Sequence, residues 1–150
     1  MGRVLIASNQ QKQAVPLIKT KAPIVGTGME EVVAKNSGQV VYAEEDGTVT
    51  KADGDEVVVK YAKRSASYKL QHFVRTNEGS SMNQKVCVNT GDAVKAGDVL
   101  IEGMSVEDGE LALGKDLLVA FMPWGGYNFE DSIVISRRLV EDDELTSVHI

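Results

Sequence analysis

The stretch at residues 39–61, QVVYAEEDGTVTKADGDEVVVKY, decides the fold class. It contains two Asp-Gly dipeptides, Asp46-Gly47 and Asp53-Gly54, and valine-rich runs flank each of them. Aspartate and glycine tolerate the backbone conformations of a tight turn, so this pattern is a strong short-range signal for a β-hairpin. We therefore expect two hairpins, one at each dipeptide.

Short strands are also predicted over most of the chain that follows. Residues 65–76 alternate in side-chain character, and residues 85–103, KVCVNTGDAVKAGDVLIEG, predict a strand, a turn, a short strand, a turn and a strand. Apolar strands are expected at residues 117–122 and from Ser132 onward, and residues 145–150, LTSVHI, alternate as a last strand. These patterns predict a mainly β protein with short helices, built as a barrel or a sandwich-barrel hybrid.

Three segments are predicted to be short helices. In residues 3–13, RVLIASNQQKQ, apolar residues give way to polar ones before a proline closes the segment. In residues 27–38, TGMEEVVAKNSG, Thr27 and Glu30 have the spacing of a capping box and a glycine ends the segment. Ser136 is a candidate N-cap for a third helix in SRRLVEDDEL.

Composition limits the class of protein. The 150-residue chain is 43% hydrophobic and 25% charged, as in soluble globular proteins of one ordinary domain or two small ones. No apolar run approaches the roughly 18 residues that cross a bilayer, so no membrane contact is expected. The single cysteine, Cys87, excludes an internal disulfide and agrees with a cytoplasmic location.

The charge is distributed unevenly. The net charge is −6, but residues 1–35 carry five basic and two acidic residues, whereas the remainder carries 11 basic and 20 acidic residues. The basic residues 1–35 can bind phosphate and the acidic residues 36–150 cannot. A random scatter of lysines explains the same charge pattern. The chain also starts in an apolar helix and stops in a strand, which predicts a piece of a longer protein.

Two adjacent carboxylates are the main candidate for chemistry. In MPWGGYNFEDSIVIS, residues 122–136, Glu130 and Asp131 follow an aromatic, glycine-containing turn. Mg²⁺ is commonly held by one or two carboxylates together with phosphate oxygens and water, and a solvated acidic loop is the alternative. Trp124 and Tyr127 flank the glycines, where they either stack on bases or pack around the turn.

The predicted N-terminal helix has a polar, partly basic face made of Arg3, Asn9, Lys12 and Gln13. Arginine binds phosphate, and asparagine or glutamine can bond to sugar and base edges, so nucleotide or RNA contact is one interpretation. A solvated helix face is the other. The two histidines lack partners at zinc-ligand spacing, and the sequence contains no phosphate-binding loop or nucleophile elbow.

Several segments, taken in chain order, resemble one protein family. They are NQQKQAVPLI, PIVGTGME, RTNEGSSMNQKVCV, GDVLIEG, GELALGKDLLVAFMPW and FMPWGGYNFEDSIVIS. Together they resemble the second-largest subunit of cellular DNA-dependent RNA polymerases, which is the β subunit in bacteria. The resemblance covers almost the whole chain, and the last segment is its most specific part.

This resemblance implies a role in two-metal phosphoryl transfer, by which the polymerase adds nucleotides to an RNA 3′ end. In the family, aspartates of the partner β′ subunit hold the catalytic Mg²⁺. An adjacent Glu-Asp pair, which falls on Glu130 and Asp131, lies at the second Mg²⁺ and acts partly through water. An arginine that pairs with the triphosphate falls on Arg3. Asn9 and Gln13 match positions near the RNA 3′ end and the incoming nucleotide.

The resemblance also implies an organisation and a set of partners. By this resemblance, residues 1–38 form a helical active-site segment and residues 39–104 form a barrel-sandwich-hybrid-like β module. Residues 105–150 form one half of a double-psi β-barrel. The implied partners are the β′ and α subunits, nucleoside triphosphates, the RNA 3′ end and the DNA–RNA hybrid. The family's glycine-flanked lysine stretch, which completes the barrel, is missing here. The isolated chain is therefore expected to be inactive and to self-associate through exposed strand edges.

Two other functions stay open. Segments such as VNTGDAVKAGDVLIEG also resemble biotinyl- and lipoyl-carrier domains, which need a lysine on an exposed hairpin. Lys51 and Lys95 lie near turns but not in a Met-Lys-Met context. A non-catalytic assembly module of the same descent is the second alternative.

Lys12 stands where the family commonly has arginine. It keeps the positive charge but loses the bidentate hydrogen bonding of a guanidinium group.

Overall fold

The structure is a computed structural model that describes residues 7–150. Arg3 and the start of the first predicted helix lie outside the described residues. The described part contains the helices α1 Ala7–Lys12, α2 Glu30–Asn36 and α3 Arg137–Glu141, none of them long and apolar enough to span a membrane. Its strands are β1 Val41–Tyr42, β2 Gly47–Ala52, β3 Glu56–Tyr61, β4 Ser65–Lys69, β5 Val74–Arg75, β6 Ser81–Met82, β7 Gln84–Val86, β8 Ala93–Val94, β9 Val99–Gly103, β10 Val106–Glu107 and β11 Glu110–Leu111. A mainly β fold with short helices is thereby confirmed.

The largest sheet is built on the hairpin of β2 and β3. These strands are antiparallel, and the order of the sheet is β4-β3-β2-β8. Asp53 closes the turn, because its Oδ1 accepts hydrogen bonds from the backbone N–H groups of Asp55 at 3.0 Å and Glu56 at 2.8 Å. The hairpin predicted at Asp53-Gly54 is confirmed.

The hairpin predicted at Asp46-Gly47 is wrong. β1 pairs with β9, in a sheet of order β1-β9-β7, and does not fold back onto β2. Gly47 is already the first residue of β2, and Asp46 Oδ1 accepts the backbone N–H of Ala96 at 2.8 Å. That contact joins segments 50 residues apart, so no local pattern encodes it.

Two turns of the same construction lie on either side of β8. In each of them an aspartate, Asp92 or Asp98, accepts the backbone N–H of the residue three positions earlier on its Oδ2 at 2.8 Å. The preceding glycines, Gly91 and Gly97, have φ of +98° and +94° and donate their N–H groups to carbonyls of the facing segment at 2.8 Å. The strand and turn pattern predicted for residues 85–103 is confirmed.

The core is formed mainly by residues of β2, β3 and β9. Val49, Val57, Val59, Leu100 and Ile101 are each at most 1% exposed. Burial of such side chains supplies the main favourable free energy of folding, at about 25 cal/mol per Å² of apolar area. The buried apolar residues of the described chain lie between Ala34 of α2, which packs with Val40 and Val106, and Ala112.

Helix α2 begins later than a capping box at Thr27 requires. Its N-cap is Met29, which makes no side-chain capping hydrogen bond. The Glu30 carboxylate accepts the backbone N–H groups of Thr27 and Gly28 at 2.9 Å, while the Thr27 hydroxyl accepts the N–H of Met29 at 3.3 Å. The capping-box prediction is wrong for Thr27, because its hydroxyl accepts the N–H of Met29 and not that of Glu30. The Glu30 carboxylate closes the turn before the helix.

The strands predicted after residue 115 do not form. Residues 117–122 and 133–135 have irregular backbone and are exposed, with Phe121 at 98% and Ile133 at 83% relative exposure. A strand needs a neighbour to share its backbone hydrogen bonds, and no segment within residues 7–150 pairs with these two. The strand predicted at residues 145–150 is reduced to an isolated bridge between His149 and Ser80.

Candidate functional site

The predicted carboxylate pair lies in a loop folded by its own hydrogen bonds. We call residues 122–136 the carboxylate loop. Asn128 Oδ1 accepts the backbone N–H of Trp124 at 2.9 Å, and Asn128 Nδ2 donates to the carbonyl of Met122 at 2.7 Å. One side chain thus joins two points of the segment that enters the loop, which fixes the turn that precedes the carboxylates.

The backbone at the carboxylates is held on the other side as well. Glu130 has φ of +57°, a conformation that is uncommon for a residue other than glycine. The Ser132 hydroxyl lies 2.6 Å from the carbonyl of Phe129 and 3.0 Å from that of Tyr127, so its single proton is shared between two acceptors. These bonds enclose Glu130 and fix the segment that carries it.

The glycine turn inside the loop is confirmed, and the packing of its aromatic neighbours is not. Gly125 and Gly126 have φ of +55° and +78°, where glycine avoids the steric cost of a Cβ. Trp124 and Tyr127, however, are 57% and 77% exposed. Both rings face solvent, and stacking on bases stays an untested prediction for them.

Glu130 and Asp131 are both exposed, and no ion pair among residues 7–150 includes either carboxylate. The same residues contain no cluster of three or more side chains able to hold a metal ion. Two neighbouring carboxylates fit Mg²⁺ when water or substrate oxygens complete its shell, which is the usual manner of Mg²⁺ binding. Glu130 and Asp131 can thus supply two of the ligands of a Mg²⁺ whose other ligands are water or substrate oxygens.

The carboxylate loop belongs to a longer segment, residues 115–144, which we call the excursion and whose two ends are tied together. The Lys115 ammonium forms an ion pair with the Glu144 carboxylate, and this hydrogen bond lowers the pKa of Glu144 from its ordinary value. Lys19 Nζ donates to the carbonyl of Asp142 at 3.0 Å. The base of the excursion is thereby anchored to the segment that leads from α1 to α2.

Asn9 and Gln13 are exposed, on α1 and directly after it. A cleft of about 370 Å³ is lined by Gln11 of α1 and by Lys115 and Asp116 at the base of the excursion. Within the described residues no hydrogen bond or ion pair joins Asn9 or Gln13 to the carboxylate loop. The structure brings α1 to the base of the excursion.

Large exposed apolar side chains lie within the carboxylate loop and in the segment before it. An exposed apolar stretch of this length is typical of a surface that another protein segment covers. Its members are Leu117, Leu118, Val119, Phe121, Met122, Trp124, Tyr127, Phe129, Ile133, Val134 and Ile135.

Sequence reasoning missed the residues that hold the site. Asn128 carries a usable signal, because asparagine next to a glycine turn commonly hydrogen-bonds nearby backbone groups. The pair of Lys115 and Glu144 spans 29 residues and carries no local signal. The sequence thus identified the exposed carboxylates but not their supports.

Comparison with known proteins identifies the family of the chain. The family model described as RNA polymerase Rpb2, domain 6, matches residues 42–150. Over 99% of its length the chain is 51% identical to the DNA-directed RNA polymerase subunit beta of Caulobacter sp. (strain K31), 52% to that of Chlamydia abortus and 54% to that of Oleidesulfovibrio alaskensis. It spans only 11–12% of the length of these relatives. Since the family model covers most of the chain, the protein belongs to the RNA polymerase Rpb2 domain 6 family.

Proposed function

We propose that this chain acts as a segment of a DNA-directed RNA polymerase β subunit and helps to bind the incoming nucleoside triphosphate. The observation that carries the proposal is the carboxylate loop, which presents Glu130 and Asp131 to solvent on an ordered backbone with no cation of the described chain beside them. The names of the relatives, each a DNA-directed RNA polymerase subunit beta, support the same function.

In the proposed role the two carboxylates either accept hydrogen bonds from water molecules bound to a second Mg²⁺ or coordinate that ion directly. A bound Mg²⁺ supplies neutralisation of the charge that develops on the triphosphate during transfer. Without a cation, Glu130 and Asp131 repel a triphosphate, because like charges at close range raise the free energy of binding. The pair therefore binds nucleotide only together with metal, and its role is auxiliary to the primary ligands proposed on the β′ subunit.

Arg3, Asn9 and Gln13 have the second proposed role, which is to bind the polar groups of the substrate. Arg3 pairs with the triphosphate, and the two amides bond to the RNA 3′ end and to the incoming nucleotide. The exposure of Asn9 and Gln13 and the position of α1 at the base of the excursion support this role, because both amides are available to a ligand. Arg3→Ala is expected to raise the KM for nucleotide.

The proposal also assigns partners and an architecture. In the full β subunit, where the apolar segments after residue 115 gain strand partners that residues 7–150 lack, residues 105–150 are proposed to form one half of a double-psi β-barrel, and the β′ and α subunits and the DNA–RNA hybrid complete the assembly around it. The exposed apolar residues in the carboxylate loop and in the segment before it support a covering partner, since a surface of this kind is costly in water. The isolated chain is accordingly proposed to be inactive and to self-associate.

The experiment is single-nucleotide addition by reconstituted polymerase whose full β subunit carries Glu130→Ala or Asp131→Ala. We expect kcat/KM for the nucleotide to fall by about tenfold or more in each variant, because each removes a charge that binds metal and triphosphate. The matched control is Glu45→Ala, which removes an exposed carboxylate from the bend before β2. Equal kcat/KM in the control and in both loop variants would exclude the proposed function.

A further inference from the structure

We propose that Asn128 is a positioning residue for nucleotide addition, which acts by holding Glu130 and Asp131 in one arrangement. This inference rests on the proposed function of the two carboxylates and deepens it by naming what orders them. Asn128 itself does not touch metal or nucleotide in this account.

The first support is the environment of Asn128. Every residue from 116 to 138 is exposed except Asn128, which is half-buried. Because no core cluster of the described chain includes any of these residues, packing does not order the loop. Order has to come from hydrogen bonds, and a half-buried amide is the group best shielded from competing water.

The second support is the geometry of the amide. Its oxygen accepts the N–H of Trp124 at 2.9 Å and its nitrogen donates to the carbonyl of Met122 at 2.7 Å. Both groups of the side chain are used, and both distances are those of well-formed hydrogen bonds. Asn128 lies two positions before Glu130. Its side chain therefore holds the backbone next to the carboxylates in a fixed position relative to Met122 and Trp124 at the start of the loop.

The third support is the backbone of Glu130. Its φ of +57° costs free energy for a residue with a Cβ, so neighbouring contacts have to hold it. The N–H of Phe129 donates to the carbonyl of Gly126 at 3.3 Å, and the Ser132 hydroxyl contacts the carbonyl of Phe129 at 2.6 Å. Asn128 is the one side chain in residues 7–150 that ties this short arch back to the incoming segment.

The test uses polymerase reconstituted with a full-length β subunit that carries Asn128→Ala or Asn128→Asp. The alanine variant loses both hydrogen bonds, and the aspartate variant keeps the acceptor for Trp124 N–H and loses the donor to Met122. We expect kcat/KM for single-nucleotide addition to fall by roughly tenfold in Asn128→Ala and by at least as much in Asn128→Asp, because the aspartate oxygen that replaces Nδ2 repels the Met122 carbonyl. The Mg²⁺ concentration at half-maximal rate is expected to rise in both variants.

The matched control is Asn36→Ala on α2. Asn36 also donates its side-chain nitrogen to a backbone carbonyl, that of Val32 at 2.7 Å, but it lies outside the carboxylate loop. We expect this variant to keep the wild-type Mg²⁺ dependence. Urea unfolding of the 150-residue chain is expected to be the same for Asn128→Ala and wild type, since Asn128 contributes nothing to the core.

A double-mutant cycle separates this inference from the proposed function. If Asn128 acts through the carboxylates, Asn128→Ala has little further effect in a Glu130→Gln/Asp131→Asn background. Full additivity, or an unchanged Mg²⁺ dependence in Asn128→Ala alone, would overturn the positioning role while leaving the carboxylates intact. A Glu130→Gln/Asp131→Asn enzyme with normal kinetics would instead overturn the proposed function and the inference together.

Discussion

The most informative test of the fold is the replacement of Gly47 by alanine. Gly47 begins β2, where it pairs with Tyr61 of β3 and with Val94 of β8. A Cβ at this position would lie 2.7 Å from the carbonyl oxygen of Lys60, 2.8 Å from Cδ1 of Tyr61 and 3.1 Å from Cγ1 of Val59. The first contact is with backbone, and the other two are with buried side chains, so no neighbour can move aside cheaply.

The magnitude follows from the cost of overpacking a well-ordered core, which is about 1–3 kcal/mol. For a chain of this length such a loss lowers Tm by roughly 3–10 °C. The matched control is Gly54→Ala at the tip of the β2–β3 turn, where no atom lies within 4 Å of the added Cβ and φ is not positive. We expect this control to leave stability unchanged or to raise it by up to about 1 kcal/mol, because alanine restricts the unfolded chain.

The assay is urea unfolding of the 150-residue chain, followed by far-ultraviolet circular dichroism. Gly47→Ala is expected to unfold at lower urea than wild type with the same slope, and Gly54→Ala at the same urea concentration or higher. If both variants unfold at the same urea concentration, Gly47 does not lie at the crowded junction of β2, β3 and β8.

Two further predictions concern the core and the main hairpin. Leu100→Ala should cost about 2–5 kcal/mol in the same assay, because Leu100 is fully buried; a loss below about 1 kcal/mol would place it outside the core. The hydrogen bond from Lys51 lowers the pKa of Asp53 to about 2 from 3.8, so the stability it contributes is present above pH 4 and lost as the pH falls towards 2. Asp53→Asn should weaken this pH dependence. An identical pH profile of stability in wild type and variant would show that Asp53 does not contribute to it.

The parts of the fold that sequence predicted are those encoded locally. The turn at Asp53-Gly54 is closed by the carboxylate of Asp53 within three residues, so the pattern and the cause coincide. The corner at Asp46-Gly47 shows the same dipeptide, yet its aspartate bonds to Ala96, far along the chain. Local patterns therefore recognised a turn at both places but not which strands it joins.

The apolar segments after residue 115 show a second limit of sequence reasoning. Their apolar character predicts strands, whereas their hydrogen-bonding partners are not found within residues 7–150. The apolar composition of a segment indicates that it needs another segment to pair with. It does not indicate whether the same chain supplies that segment.

The candidate site divides in the same way. The sequence predicted Glu130 and Asp131 as a candidate pair, while the two hydrogen bonds of Asn128 became visible only in the structure. The carrier alternative loses one of its candidate lysines, because Lys51 is paired with Asp53 and Glu56 and these contacts raise its pKa. A protonated, paired amine is a poor nucleophile for acylation.

A Mg²⁺ titration of single-nucleotide addition at fixed nucleotide concentration shows whether Glu130 and Asp131 bind at a second Mg²⁺. It compares wild-type polymerase with an enzyme whose full β subunit carries Glu130→Gln and Asp131→Asn, which keep the size of both side chains and remove their charge. If the pair binds at a second Mg²⁺, the double variant should need about tenfold more Mg²⁺ for half its maximal rate. Overlapping titration curves for the two enzymes would contradict the claim that the carboxylate loop serves metal-bound nucleotide.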